Sequence, residues 1–230
     1  MKILMIFSFL MVSLLANAQF NFFVEGTGNF SLISKSKVVN TYAIPHNHLN
    51  FKSYRETTYK ADYVNKLGAD ITLGLNYFFQ DNFSFDTGIN FKNVNFNQKT
   101  SNSSKEFYLP IENGSYPTLP HLPTSELKDD YSLFLLSVPV SVSYYLLENT
   151  LSASLGATPG YLVYSKGGSG ESADFNKFQM GIELQLRYQI APKIWLTGVF
   201  QEYSTKLYKP ELKQSFSNLR MLKLGLKYDF

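Results

Sequence analysis

The stretch FQMGIELQLRYQI, residues 178–190, alternates apolar and polar side chains without a break. Large apolar residues occupy every even position from Phe178 to Ile190, and Gln, Gly, Glu or Arg occupies every odd position. A period of two residues is typical of a β-strand whose two faces meet different surroundings. The stretch therefore predicts a strand with one apolar and one polar face.

Seven further segments show the same alternation, less cleanly in some cases than in others. They are 20–32, 69–79, 83–92, 131–146, 151–164, 194–205 and 222–230. In the first of them Phe23 falls on the polar face. Beyond Asn93 the apolar residues Val94 and Phe96 change parity, which predicts a bulge or the end of that strand. The chain therefore predicts eight strands.

The connections between these segments alternate in length. Short ones occupy 80–82, 147–150 and 191–193, and long ones occupy 33–66, 98–130, 165–177 and 206–217. The long ones carry proline and glycine clusters of the kind found in loops. Both termini then lie on the side of the short turns.

The composition excludes several classes of protein. Charged residues make up 17% of the 230 residues, against about 25% in soluble domains, while aromatic residues make up 16%. Such a chain is not disordered, and a formal net charge of +3 without a basic tract does not indicate a nucleic-acid partner. Because there is no cysteine, disulfide scaffolds and cysteine-ligated metal sites are excluded. The aromatic surplus must lie somewhere other than in water.

Residues 1–18 are typical of a cleaved secretory signal peptide. Lys2 supplies a positive start, 3–15 are apolar, and Ala16-Asn17-Ala18 forms a small-residue cleavage site before Gln19. A membrane-anchor helix is the alternative, but the apolar run is shorter than the roughly 20 residues that a spanning helix needs. We predict cleavage between Ala18 and Gln19, leaving one domain over 19–230.

No later segment is a convincing membrane-spanning helix. The longest candidate, 133–147, is interrupted by serines and carries Pro139 near its middle. Strands cross lipid only as a closed barrel, and short turns opposite long loops are typical of outer-membrane barrels. A soluble lipocalin-like barrel or sandwich is the alternative, with the apolar face inside.

The chemistry of the polar face favours the membrane barrel. It combines small glycines with four acidic and four basic residues, which suit a crowded lumen better than a solvated surface. The predicted lumen charges are Glu25, Asp70, Asp86, Lys92, Glu183, Arg187, Lys223 and Lys227. Aromatic residues also cluster near both ends of the strands, among them Tyr145 and Trp195 at the short turns and Tyr63 and Tyr203 at the long loops, which predicts two interfacial girdles. Balanced charges favour a plugged lumen over a pore with a ring of one sign.

The chain ends in KLGLKYDF, and this ending resembles the insertion signal of outer-membrane barrels at Lys223, Gly225, Tyr228 and Phe230. Residues 19–230 resemble the outer membrane beta-barrel domain family of small Gram-negative proteins, including PorT-like members. Leu136-Ser137-Val138-Pro139-Val140 is similar to an apolar-Pro-apolar strand motif of that family.

The resemblance implies an all-β, eight-stranded antiparallel up-and-down transmembrane barrel in the cell outer membrane. Its turns and both termini would be periplasmic and its long loops extracellular. The implied partners are outer-membrane lipid, periplasmic chaperones and the barrel-insertion machinery during assembly, and extracellular or secretion-system proteins afterwards.

Chemistry-bearing motifs are sparse, and we expect neither an enzyme nor a cofactor or metal. His46 and His48 could bind a metal but lack a third ligand. His121 with Asp129-Asp130 is the one cluster to nominate for a hydrolase, although adjacent aspartates are usually solvated. Three hypotheses stay open. The first is a protein that acts in surface interaction, in envelope integrity or as an accessory to a secretion or gliding assembly. The second is a small porin-like pore or hydrophobic-solute transporter, and the third is a barrel hydrolase.

Overall fold

The fold is taken from a computed structural model that describes residues 19–33, 36–44, 51–110, 125–147, 150–167, 175–207 and 218–230. The predicted signal peptide, including Ala18, lies outside the described residues, and so do His46, His48 and His121. Gln19 is the first described residue and begins the first strand.

The described residues form eleven β-strands. They are β1 (Gln19–Ile33), β2 (Ser36–Ile44), β3 (Phe51–Asn65), β4 (Leu67–Gln80), β5 (Phe83–Pro110), β6 (Ser125–Ser137), β7 (Val140–Leu146), β8 (Leu151–Lys166), β9 (Phe178–Ala191), β10 (Ile194–Lys206) and β11 (Asn218–Asp229).

Eight strand positions close into a ring in which all neighbours are antiparallel. The order is β1, β4, β5, β6 with β7, β8, β9, β10 and β11, and β11 returns to β1. The strands β6 and β7 share one position because both pair with β5 on one side and with β8 on the other. The eight-stranded up-and-down barrel predicted from the sequence is therefore confirmed.

The predicted single strand over 131–146 is broken in two at Val138-Pro139. Proline has no backbone N–H to donate to the ladder, so the pairing stops there. One backbone hydrogen bond still joins this break to β8: the Val138 N–H donates to the carbonyl oxygen of Pro159 at 2.9 Å.

Gln19, Phe230 and the short turns lie at one end of the barrel. The registers place Gln19 opposite Phe78, next to the turn between β4 and β5, and Tyr228 opposite Ile194, next to the turn between β9 and β10. We call this the short-turn end and the opposite one the long-connection end.

Two of the predicted long loops contain extended β-structure, so the prediction of loops over 33–66 and 98–130 is wrong for much of their length. Phe51 to Asn65 of β3 pair continuously with Pro110 to Phe96 of β5, and β2 pairs with β3. Polar residues occupy both parities in this part of the sequence, and this hides the two-residue period. We call β2, β3, residues 96–110 of β5 and residues 125–131 of β6 the extension.

The third predicted strand neither bulges nor ends at Asn93. Its pairing with β6 runs in unbroken register from Asn90 to Asn102. Val94 and Phe96 follow the inward parity of Lys92 and are fully buried. The change of pattern in the sequence is therefore a change in the chemistry of the lumen, from polar to apolar, along a regular strand.

Candidate functional site in the barrel lumen

The alternation of the strands separates two chemically different surfaces. Outward positions carry Leu, Ile, Val, Phe and Tyr that remain exposed on the barrel wall, and inward positions carry mostly polar residues. All eight predicted lumen charges turn inward: Glu25, Asp70, Asp86, Lys92, Glu183, Arg187, Lys223 and Lys227. Because these charges are shielded from water, each needs a partner inside the barrel.

Arg187 on β9 is the centre of the first group of lumen charges. Its guanidinium lies 2.8 Å from Asp86 on β5 and 3.3 Å from Glu25 on β1. The hydroxyls of Ser84 and Ser143 each donate to Asp86 at 2.6 Å. One cationic side chain thus ties together three separated strands of the wall.

A second group surrounds Asp70 on β4. The ammonium of Lys223 lies 2.8 Å from the Asp70 carboxylate and that of Lys92 lies 3.9 Å away. Lys92 also donates to the side-chain oxygen of Gln201 at 2.7 Å and to the hydroxyl of Tyr203 at 2.9 Å. Since Gln201 and Tyr203 belong to β10, Lys92 reaches across the barrel from β5.

A third group lies near the short-turn end and includes Asp229, which is absent from the predicted set of lumen charges. The Asp229 carboxylate lies 2.8 Å from the Lys227 ammonium and accepts a hydrogen bond from the Trp195 indole at 2.7 Å. Lys227 also sits over the ring of Phe23, 4.6 Å from its centroid. Phe23, which breaks the alternation in the sequence, therefore turns inward and packs under the Lys227 ammonium. Its other neighbour is Gly74, where a Cβ would overlap the Phe23 ring.

Beyond Lys92, towards the long-connection end, the lumen is filled by an apolar cluster that the sequence did not predict. We call it the apolar plug; it consists of Ile33, Ala61, Tyr63, Val94, Phe96, Leu133, Leu135, Leu162, Phe175, Tyr203, Leu207, Leu219 and Met221. The ring of Phe96 lies 6.0 Å from that of Tyr63 and 5.3 Å from that of Tyr131, centroid to centroid. The parity change at Val94 was the sequence signal for this cluster.

The predicted aromatic girdles are wrong at several positions. Tyr145, Trp195, Tyr63 and Tyr203 turn into the lumen. Strand parity decides their direction, and each has the parity of its inward neighbours. Outward aromatic residues remain at both ends, including Phe20, Phe22 and Phe230 at one end and Phe134, Tyr161 and Phe178 at the other.

The four residues of the C-terminal motif divide between the two faces of β11. Lys223 turns inward to Asp70, and a Cβ at Gly225 would overlap the backbone of Gly26 and Thr27. Tyr228 and Phe230 turn outward with their ring centroids 5.3 Å apart. A role of this motif in membrane insertion stays a prediction.

The nominated hydrolase residues are not brought together into a site within the described part of the chain. Asp130 is exposed and lies 3.3 Å from the ammonium of Lys66, while His121 is not described. In the described ranges no group of three or more His, Cys, Asp or Glu residues could hold a metal ion. A search of those same ranges for a helix long and apolar enough to cross a membrane finds none.

The space that remains in the charged part of the lumen is small. A cavity of about 30 Å³ lies between the Arg187 group and the Asp70 group. One water molecule needs roughly 10–15 Å³ of such volume, so the cavity holds one or two small molecules or ions.

A closed eight-stranded barrel with an apolar outer wall and a polar, charge-paired lumen defines an outer-membrane β-barrel. The chain belongs to the outer membrane protein beta-barrel domain family, whose model matches residues 8–230. It is accordingly a protein of the outer membrane, in contact with the lipid of that membrane.

Several solved outer-membrane proteins are similar in fold. The outer membrane protein OprG from Pseudomonas aeruginosa is 12% identical with a TM-score of 0.49, and the alignment covers 91% of this chain and 95% of that one. Neisserial surface protein A is 11% identical with a TM-score of 0.45, covering 91% and 97%. Ail, the attachment invasion locus protein of Yersinia pestis, is 10% identical with a TM-score of 0.30, covering 92% and 97%. No curated protein matches the chain.

Proposed function

We propose that this protein is a non-enzymatic barrel with a closed lumen, and that its extension presents an interaction surface outside the membrane. In this arrangement the short-turn end with both termini faces the periplasm and the extension faces the outside of the cell. The observation that carries the proposal is the blocked lumen: stacked ion-pair groups, a cavity of about 30 Å³ and the apolar plug occupy the same passage.

Paired charges and an apolar layer both oppose conduction. A hydrated ion would have to break the contacts of Arg187 or Asp70 and then cross the apolar plug, whose side chains are mostly hydrocarbon. A conducting lumen would need a continuous polar path, whereas the fully buried Val94, Phe96 and Leu133 lie directly beyond Lys92. These features support a barrel that anchors and positions a surface.

The extension supports the interaction role because it is far longer than a membrane crossing requires. At about 3.3 Å per residue the 28 residues of β5 are about 90 Å long, whereas a tilted strand crosses a bilayer with about 9–11 residues. Segments that a rigid scaffold holds at its surface are where binding residues usually lie. The resemblance to PorT-like proteins makes a secretion or gliding assembly the partner to test first, with envelope integrity as the wider role.

Two measurements test the proposal. In planar bilayers the purified full barrel should show no steady open level, and a steady single-channel conductance would overturn the closed lumen. For the surface, affinity capture from solubilised membranes should be compared between the wild type and a variant in which 36–62 and 99–128 are replaced by short turns.

The shortened variant keeps the barrel strands, so it should still migrate differently on gels when unheated. We expect a specific partner to be recovered with the wild type and lost with this variant. If the same partner is recovered with both, the extension is not the interaction surface.

A further inference from the structure

The wall of the lumen cavity carries more negative than positive charge. Its ionisable side chains are Glu25, Asp70, Asp86 and Glu183 against Arg187 and Lys223. A small space with such a wall attracts a cation, because it has room for too little water to screen the carboxylates.

Three of the four carboxylates have cationic partners. Arg187 lies between Asp86 and Glu25, and Lys223 lies 2.8 Å from Asp70. Within the described ranges, by contrast, no hydrogen bond or ion pair reaches the carboxylate of Glu183, although this residue is only 8% exposed. A buried carboxylate without a partner is strongly unfavourable unless a positive charge or a proton joins it.

A second unpartnered oxygen lies on the same wall. Thr158 on β8 is 1% exposed, and its hydroxyl has no hydrogen-bond partner among the described residues. Buried hydroxyls normally find a partner, and a group bound in the cavity, which Thr158 lines, would supply one. Carboxylate and hydroxyl oxygens are the ligands that hard cations prefer.

Charge and size both indicate a single small monovalent ion. In the described interior below the apolar plug, five carboxylates (the predicted four and Asp229) face four cationic side chains, which leaves one negative charge to balance. Calcium takes six to eight oxygen ligands, whereas a cavity of about 30 Å³ admits one ion with at most one water.

We propose that this cavity is a binding site for a small monovalent cation of the sodium class, with the Glu183 carboxylate as its anionic ligand and the Thr158 hydroxyl beside it. The bound ion completes the charge pairing of the lumen. It adds a structural, stabilising site to the barrel and is independent of any partner of the extension.

The test uses the full mature barrel in micelles at constant ionic strength, with choline chloride replaced stepwise by sodium chloride. The fraction that remains folded at a fixed high temperature should rise with sodium and saturate for the wild type. Glu183→Gln should lose this response. Thr158→Val should keep it, but the sodium concentration that gives half of the full rise in folded fraction should be higher than for the wild type. Glu202→Gln is the matched control, since Glu202 is an outward residue paired with Arg220 at 2.8 Å, and it should respond as the wild type does.

Sodium-23 relaxation of the wild type gives a measurement that does not depend on the variants folding. We expect line broadening that is reversed by competing lithium or potassium but not by choline. The proposal is overturned if sodium and choline stabilise the wild type equally, or if Glu183→Gln keeps the sodium response. It is also overturned if the wild type shows no response, since the carboxylate is then protonated or solvated by water.

Discussion

The ammonium of Lys92 on β5 donates to the hydroxyl of Tyr203 on β10 at 2.9 Å, across the full width of the barrel. Below this contact the lumen is built from ion pairs, and above it from the apolar plug. Tyr203 belongs to both, because its ring packs in the plug while its hydroxyl accepts from Lys92. The contact between Lys92 and Tyr203 thus marks the boundary between the ion-paired part of the lumen and the apolar plug.

Replacing Arg187 should destabilise the barrel strongly. Arg187→Met leaves Glu25 and Asp86 buried without their shared partner, and loss of one side of a buried ion pair costs about 3–5 kcal/mol. Urea unfolding followed by the fluorescence of Trp195, the single tryptophan, measures it. Arg220→Met is the control, because its exposed pair with Glu202 contributes about 0–1 kcal/mol. Equal losses for both variants would contradict the lumen network.

The apolar plug should contribute to stability as a packed core. Leu133→Ala removes a side chain that is 1% exposed and should cost about 2–5 kcal/mol, including the cavity left behind. Leu136→Ala is the matched control on the same strand, 37% exposed on the outer wall, where lipid or detergent fills the space. Unfolding free energies in the same micelles should therefore fall further for Leu133→Ala, and the reverse order would show that the plug is loosely packed.

Gly74 should not tolerate a methyl group. A Cβ there would overlap the ring of Phe23 and approach the carbonyl oxygen of Thr87 to 2.7 Å. Gly74→Ala should cost about 1–3 kcal/mol, as overpacked sites do. Gly26→Ala is the comparison, since a Cβ at that position meets no atom within 4 Å. Chemical denaturation of the two variants checks this, and similar midpoints would argue against a tight contact between Phe23 and Gly74.

Charge placed on the outer wall should reveal where the membrane ends. Leu184→Arg, in the middle of β9, should cost about 2–4 kcal/mol, as a cation at the bilayer midplane does. Val64→Arg lies in the extension on β3, where we expect a change of about 0–1 kcal/mol. Leu184 and Val64 are both outwardly exposed, at 52% and 57%. Folding in liposomes measures the difference, and a large loss at Val64 would place part of the extension inside the bilayer.

Removing Phe230 should reduce the amount of barrel inserted into the outer membrane. Its ring and that of Tyr228 lie outward at the end of the closing strand β11, where the resemblance places an insertion signal. The yield of the form that shifts on heating, in outer-membrane fractions, is the measurement. Phe20→Ala is the control, as another exposed aromatic residue at the same end. An unchanged yield without Phe230 would show that the C-terminal motif does not act in insertion.

Much of the barrel could be predicted from the sequence, because a wall in contact with lipid needs apolar side chains at alternate strand positions. Residues 178–190 carry a complete two-residue period, and the inward face of that strand is the one that holds Glu183 and Arg187. The number of strands, the faces and the short turns are local properties, so a single sequence displays them. The eight lumen charges could be named for the same reason.

The pairing inside the lumen was decided by the tertiary structure. Arg187 meets Glu25 from 162 positions away in the chain, and Lys92 meets Tyr203 from 111 positions away, so only ring closure brings these groups together. Leu133 and Phe134 are both apolar, so the sequence does not show that Leu133 faces inward and Phe134 outward. The apolar plug could be identified only once the closed barrel showed which strand positions face the lumen. The extension stayed hidden because its strands lack the two-residue period that a lipid surface imposes.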